Sequence, residues 1–391
     1  ARCLAALVEA ERPVIIAGGG ALKHATAVRA FAERFNVPVF TTWNALEVAP
    51  YDWVLCGGTL GTYGGGRGRN FAVQQADFVL ALGTRLSGRL FGGRPDTFLR
   101  GAHGNIWHVD VDRGVLIGLQ QDLVALQRTT MCSSVSEWLR AARETEDVAH
   151  WTAERTNWIT AVRTWCETYD PGKQPGPYAF VRELSNFAPS NAIVVSECGG
   201  NSVIFHQSWE AKLGQRIFSS HGGSAMGQGL GLAIGAAVAE PERPVIALIG
   251  DGGFTLAAAE LNTIRIQQAR LKNLRVFVLN NRSYGITAAW MVENLNGRRF
   301  ACGPEPESGY ETPDIPKVCE AYNVRTVALL SSPTNVIESG IEANGPLIVD
   351  VRCDGWETYT PRITGWDRPI EEMIPSLPAD EFLAQMKYVE P

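Results

Sequence analysis

Between Val245 and Gly285 two short apolar runs flank one helical segment, and that arrangement constrains the fold more than any other stretch of the chain. Val245-Ile246-Ala247-Leu248-Ile249 and Val276-Phe277-Val278-Leu279 are rich in β-branched residues, as buried parallel strands are. Between them Leu256, Leu261 and Ile264 recur at roughly helical spacing. The pattern predicts a βαβ unit. Asp251 follows the first strand, within Gly250-Asp251-Gly252-Gly253, and Asn281 follows the second. Both therefore project from the carboxyl edge, where open α/β sheets bind ligands. A carboxylate, an amide oxygen and a nearby backbone carbonyl are hard ligands, too few to enclose a cation. They suit Mg²⁺ that also takes a diphosphate and water. Gly252 and Gly253 let the backbone come close, and the following helix N-terminus offers N–H groups to anionic oxygens. Gly-Asp-Gly alone would equally be a tight turn; Asn280-Asn281 closing the next strand favours the metal site.

The chain has 391 residues, enough for two domains, and is 45% hydrophobic and 19% charged, ordinary values for an α/β protein. The net charge of −6 is mild and no basic tract occurs, which argues against nucleic acid or an anionic membrane surface as partner. Eight cysteines are scattered without CxxC spacing, so they predict neither a zinc site nor a disulfide framework and point to a reducing, cytoplasmic compartment. No apolar run approaches a membrane span. The N-terminus, which lacks an initiator Met, opens into an amphipathic helix in place of a signal sequence.

In chain order, Leu4, Leu7 and Val8 form a helical face, and Pro13 to Ala17 is a strand running into Gly18-Gly19-Gly20. A helix through Phe31 and Phe35 and a strand from Val37 to Thr41 complete a first βαβ of a doubly wound domain. Gly57 to Gly66 reads as a flexible loop, Ala76 to Leu82 as a strand ending in Gly83-Thr84-Arg85-Leu86-Ser87-Gly88-Arg89, and Ile106 to Val111 as a strand ending at Asp110 and Asp112. Arginines, glycine turns and an acid at strand ends suit a dinucleotide, with guanidiniums on the diphosphate and a carboxylate near a ribose. From Thr129 to Tyr169 the chain reads as helical, with Trp138, Trp151, Trp158 and Trp165 packing at a domain interface. Prolines and glycines from 171 to 177 break the helix and mark a linker. This gives domains at 1–170 and 178–391. The second opens with a helix from Tyr178 and a strand ending at Glu197. Ala225 to Glu240 reads as a small-residue helix, and the stretch beyond Ile286 to Pro313 as an irregular lid carrying Trp290, Met291 and Phe300.

Gly-Asp-Gly, 27 intervening residues, then Asn280-Asn281 resembles the thiamine-diphosphate (ThDP) signature. Carried over by position, Asp251, the Asn281 side chain and the Ser283 carbonyl would bind Mg²⁺. Gly223-Ser224-Ala225-Met226-Gly227-Gln228-Gly229 resembles the segment that holds the cofactor bent in acetolactate-synthase-like enzymes. There Met226 would wedge between the cofactor rings and the Ser224 carbonyl would accept from the aminopyrimidine amine, although a methionine in this position also suits a core gap-filler. The resemblance places Gly200, Asn201, Gly252, Gly253 and Tyr284 at the ThDP as well. It implies two doubly wound parallel-sheet domains, a central FAD/NAD-like one and a ThDP diphosphate-binding (PP) one. Many family members bind FAD in the central domain, which would put Gly19, Gly20, Thr42, Gly83, Arg85, Arg89 and Asp110 near it. The pattern departs at Thr62-Tyr63, where FAD-binding members typically show Met-His.

The family draws its activating glutamate from a pyrimidine-binding (PYR) domain, so Glu197 is not expected to fill that role. The resemblance covers the central and PP domains, which predicts a split enzyme: a separate PYR-domain subunit, a hetero-oligomer, and this chain as the large partner. The expected activity is decarboxylation of a pyruvate-like 2-oxo acid and transfer of its acyl-anion unit to a carbonyl acceptor, with His221 as an acid or base on the acceptor. A simple 2-oxo acid decarboxylase or C–C lyase and a non-catalytic ligand-binding subunit share the same motifs. A sirtuin-like NAD enzyme fits least, because no zinc-type cysteine cluster is present.

Overall fold

A computed structural model describes residues 1–117, 126–144, 153–219, 222–305, 308–329, 345–353 and 358–389. The chain forms two compact units, 1–171 with 360–391, and 172–359.

In the first unit six parallel strands lie in the order β3-β2-β1-β4-β5-β6, where β1 is Pro13–Ala17, β2 Val39–Thr41, β3 Cys56–Thr59, β4 Phe78–Leu82, β5 Ile106–Asp110 and β6 Arg128–Cys132. β1 and β4 are buried at every position, as strands covered on both faces must be. Two of these six strands escape the sequence reading. β3 lies in the stretch read as a flexible loop, and β6 in the stretch read as helical. Both are edge strands. β3 is built of Cys-Gly-Gly-Thr and β6 is half exposed, so neither carries the apolar run that marks a central strand.

Helix α1 (Arg67–Gln75) is buried along its whole length although it reads Arg-Gly-Arg-Asn-Phe-Ala-Val-Gln-Gln. Its polar side chains seat the C-terminal segment. Asn70 donates to the Ile370 carbonyl at 2.8 Å, Gln74 to Glu371 Oε2 at 2.6 Å, Gln75 to the Gln385 carbonyl at 2.9 Å, and Arg67 to the carbonyls of Met373 and Pro375. Residues 360–391 thus pack in the first unit, and the second compact unit ends at Tyr359 instead of running to 391. Trp158 and Trp165 stand edge to face at 5.7 Å inside the first unit's core, not at an interface. Trp138 packs partly buried against the other core cluster, and Trp151 lies outside the described residues.

In the second unit another six-stranded parallel sheet runs β11-β12-β10-β9-β7-β8, with β7 Ile193–Ser196, β8 Arg216–Ser219, β9 Val245–Gly250, β10 Leu274–Asn280, β11 Thr326–Leu329 and β12 Leu347–Arg352. The βαβ unit forms as its sequence predicts. β9 pairs with β10 from Val245 opposite Leu274 to Gly250 opposite Leu279. Leu261 and Ile264 are buried beneath the sheet, whereas Leu256 is 62% exposed, because the helical segment breaks in two after it. Helix α2 (Gln228–Ala239) follows a turn at Gly227, and α3 (Asp251–Leu256) begins on the acid itself. The stretch read as irregular beyond Asn281 contains helix α4 (Gly285–Asn294).

Strand order fixes where ligands can sit. β7 and β9 are neighbours whose crossovers leave in opposite directions, so their carboxyl ends open a crevice at the topological switch point. β1 and β4 do the same in the first unit.

Candidate active site

The crevice at the ends of β7, β9 and β10 is a cavity lined by Glu197, Gly200, Asn201, Met226, Asp251, Gly252, Gly253, Asn281, Ser283 and Tyr284, among others. Nine of the ten ThDP and Mg²⁺ residues named from sequence therefore face one space. The tenth, Ser224, stands two residues before Met226 at a φ of +48° and is not among the lining residues. His221 lies outside the described residues.

Asp251 is 3% exposed at the first position of α3. Its Oδ1 accepts from its neighbour's amide, Gly252 N, at 2.8 Å, and its Oδ2 from the Thr312 hydroxyl at 2.9 Å. Burial raises its carboxyl above the usual range, while Thr312 and the backbone N–H groups of Gly252, Arg282 and Ser283 pull it back down. A bound cation would act in the same sense as these donors. The two asparagines divide the work through the alternation of a strand. Asn280 turns into the sheet and donates to Asp350 Oδ1 at 2.9 Å, which leaves Asn281 at the cavity with its Oδ1 3.3 Å from Ser283 N. Asp350 is fully buried with Arg352 Nε 2.8 Å from its Oδ2. Carboxylate and amide oxygens at one buried edge are the donor set of a hard cation, so the residues fit Mg²⁺ shared with a diphosphate. Among the described residues no group of three or more His, Cys, Asp and Glu gathers as a transition-metal site would require.

The glycine pair beside Asp251 is explained by its neighbours. A Cβ on Gly252 would overlap the Tyr284 ring and come within 2.9 Å of Met226 Cε, and one on Gly253 would fall inside the Glu197 carboxylate. Met226 is 40% exposed at the cavity, not a core gap-filler. Glu197, which the sequence reading set aside as the activating acid, and Cys198, to which it gave no site role, also line the cavity. Burial raises the Glu197 carboxyl and pushes the Cys198 thiol up to about 11, so Cys198 stays protonated near neutral pH. The signal for Glu197 was its place one residue beyond a buried strand; nothing local marked Thr312.

At the first unit's switch point Gly19, Gly20, Thr42, Gly83 and Asp110 come to the carboxyl ends of β1, β2, β4 and β5. A Cβ on Gly20 would stand 2.9 Å from Gly83 Cα, so close chain approach by itself accounts for that glycine. Arg85 and Arg89 are exposed nearby in sequence, and Asp110 Oδ1 accepts from Asp112 N at 2.9 Å. Backbone turns, a carboxylate and exposed guanidiniums at one edge fit a dinucleotide.

Two doubly wound units, one with a carboxylate and amide over a switch-point crevice, form the class of α/β protein that holds phosphorylated cofactors at strand ends. Residues 1–128 match the thiamine pyrophosphate enzyme central domain, and residues 197–351 match the thiamine pyrophosphate enzyme C-terminal TPP binding domain. The chain belongs to the thiamine pyrophosphate enzyme family. It is 26% identical over 376 residues to the acetolactate synthase large subunit of Lactococcus lactis, covering 92% of this chain and 60% of that one. Against acetolactate synthase 1, chloroplastic, of Zea mays it is 30% identical over 374 residues, covering 91% and 56%. Against the acetolactate synthase isozyme 2 large subunit of Escherichia coli it is 26% identical over 367 residues, covering 91% and 62%. The chain thus spans little more than half the length of the relatives it matches. Among the described residues no helix is long and apolar enough to cross a membrane.

Proposed function

We propose that this chain supplies the metal- and diphosphate-binding side of an acetolactate-synthase-like carboligase, which decarboxylates a pyruvate-like 2-oxo acid and transfers the acyl-anion unit to a carbonyl acceptor. The observation that supports this most is the convergence of Asp251, Asn281 and Met226, from three separate segments, on one switch-point cavity. When bound, ThDP supplies the nucleophilic carbon and the electron sink for this chemistry.

The chain's own residues do the holding. Asp251 and the Asn281 amide, with the Ser283 carbonyl, take Mg²⁺; Gly200, Asn201, Gly252 and Gly253 take the diphosphate; Met226 and Tyr284 press against the organic part, and the Ser224 carbonyl accepts from the aminopyrimidine. In this reading Glu197 is not the activating glutamate; that group is contributed by a PYR domain, here assigned to a separate subunit of a hetero-oligomer. In the same reading FAD occupies the carboxyl edge of the first unit's sheet, with Arg85 and Arg89 on its diphosphate.

Calorimetric titration with ThDP, with and without Mg²⁺, tests the cofactor. Saturable binding that requires Mg²⁺ and is lost in Asp251→Ala is expected; binding unaffected by that change overturns the assignment. Acetolactate formation from pyruvate after addition of a PYR-domain subunit tests the carboligase, and release of acetaldehyde alone would instead make the enzyme a decarboxylase. Flavin absorbance of the purified protein tests the second cofactor.

A further inference from the structure

Glu197 is a buried charged group at the cavity to which the reading above gives no task. We propose that Glu197 is a positioning residue, which fixes the Met226–Gly227 turn against Gly252 and Gly253 and so sets where Met226 meets the cofactor. The inference rests on the ThDP reading of the cavity.

Three segments meet at this one side chain: the end of β7, the start of α2 and the start of α3. Glu197 is 2% exposed, and its Oε1 accepts from Gly229 N at 2.9 Å. The backbone of Gly227 hydrogen-bonds to the same carboxylate. These N–H groups belong to the N-cap and the first turn of α2, where backbone donors have no partner within the helix. A carboxylate there also faces the positive end of the helix dipole. Two glycines of the signature motifs make room for it. A Cβ on Gly229 would stand 2.9 Å from Glu197 Cβ and 2.7 Å from Ile249 Cγ2, and one on Gly253 would enter the carboxylate.

Met226 needs such an anchor. It is 40% exposed and its side chain is long and flexible. Its placement beside Gly252 must therefore come from its backbone, which precedes Gly227 directly. An apolar side chain of similar volume could fill the space Glu197 occupies. It could not accept from Gly227 and Gly229, and buried donors without acceptors would drive the turn to rearrange.

The test compares Glu197→Gln, which keeps shape and an acceptor oxygen, with Glu197→Leu, which keeps only volume. Methyl-¹³C methionine NMR of the whole ligand-free chain, with the Met226 signal assigned by Met226→Leu, reads the turn directly. The expected result is a displaced or broadened Met226 methyl in Glu197→Leu and a near-native one in Glu197→Gln. ThDP affinity at saturating Mg²⁺ should fall about tenfold in Glu197→Leu and less than about threefold in Glu197→Gln, the scale of a lost helix-start acceptor. An unmoved Met226 signal in Glu197→Leu, or equal displacement in both variants, overturns the proposal. If Glu197→Leu does not fold, Gly229→Ala crowds the same contact; a displaced Met226 methyl then supports positioning and an unmoved one overturns it. Failure of the wild-type chain to bind ThDP would overturn the cofactor reading separately, because the methyl signal needs no ligand.

Discussion

The Thr312 hydroxyl donates to Asp251 Oδ2 at 2.9 Å, reaching the acid from 61 residues further along the chain. Thr312 is itself buried, and Tyr310 Oη lies 3.3 Å from its hydroxyl. The carboxylate is thus oriented by a side chain that belongs neither to the diphosphate residues nor to the Asn281 turn. Partners of this kind are worth roughly tenfold to a hundredfold in metal affinity. Thr312→Val should weaken Mn²⁺ binding, followed by EPR titration in the presence of ThDP, by about tenfold or more, and Thr312→Ser should restore it. A Thr312→Val protein that binds Mn²⁺ as tightly as wild type would remove Thr312 from the metal site.

Gly253 and Glu197 should be energetically coupled. A methyl at Gly253 enters the space of the Glu197 carboxylate, and overpacking of this kind costs roughly 1–3 kcal/mol. In Glu197→Ala the obstruction is gone, so the double variant Gly253→Ala/Glu197→Ala should lose less stability than the two single changes together, by about 1 kcal/mol or more. Urea unfolding of the four proteins measures this. Strict additivity would mean that the carboxylate moves aside freely.

The site was legible wherever its chemistry coincides with a strand end. Asp251 and Asn281 follow long apolar runs, and alternation along β10 decides which of the two asparagines faces the cavity. Thr312 was not legible, since it stands in a turn with no periodicity and acts across sequence. The packing of the C-terminal segment was illegible for a related reason. Helix α1 carries the polar composition of a surface helix, yet its partners are the residues from Ile370 to Gln385. Local patterns report which side of an element is apolar and are blind to a polar side that is buried by hydrogen bonding. β3 and β6 were missed because neither carries an apolar run for a sequence pattern to register.

Glu371 ties the C-terminal segment to the first unit. It is fully buried, accepts from Gln74 Nε2 at 2.6 Å and pairs with the largely buried Arg100. Removing one partner of a buried ion pair leaves the other charge unsatisfied and costs roughly 3–5 kcal/mol. Glu371→Ala should therefore destabilise the first unit by about 3 kcal/mol and make the segment beyond Tyr359 susceptible to limited proteolysis, whereas Glu372→Ala, which removes only the surface pair of a half-buried carboxylate with the exposed Arg368, should do neither. A Glu371→Ala protein as stable and as resistant as wild type would mean that the segment is held by its apolar contacts alone.

His108 should make the first unit acid-sensitive. The ring is fully buried between Thr84 and Arg128. A carbonyl can only accept and a guanidinium can only donate, so Nε2–H donates to Thr84 O at 2.6 Å while Nδ1 accepts from Arg128 at 2.5 Å. This arrangement admits only the neutral ring. Burial first, and the Arg128 charge second, lower its pKa to about 4, against the bond to the Thr84 carbonyl, which raises it. In the unfolded chain the ring titrates near its ordinary value of 6.5. Above that value neither state is protonated and the contribution is fully present. As pH falls from 6.5 towards 4 the unfolded state takes up the proton first, so stability is lost across that window. The difference corresponds to roughly 3 kcal/mol at the acid end. Urea midpoints measured between these limits should fall with decreasing pH more steeply in wild type than in His108→Gln, whose side chain does not titrate. Parallel pH profiles for the two proteins would show that the ring is protonated in the fold or that it is not buried there.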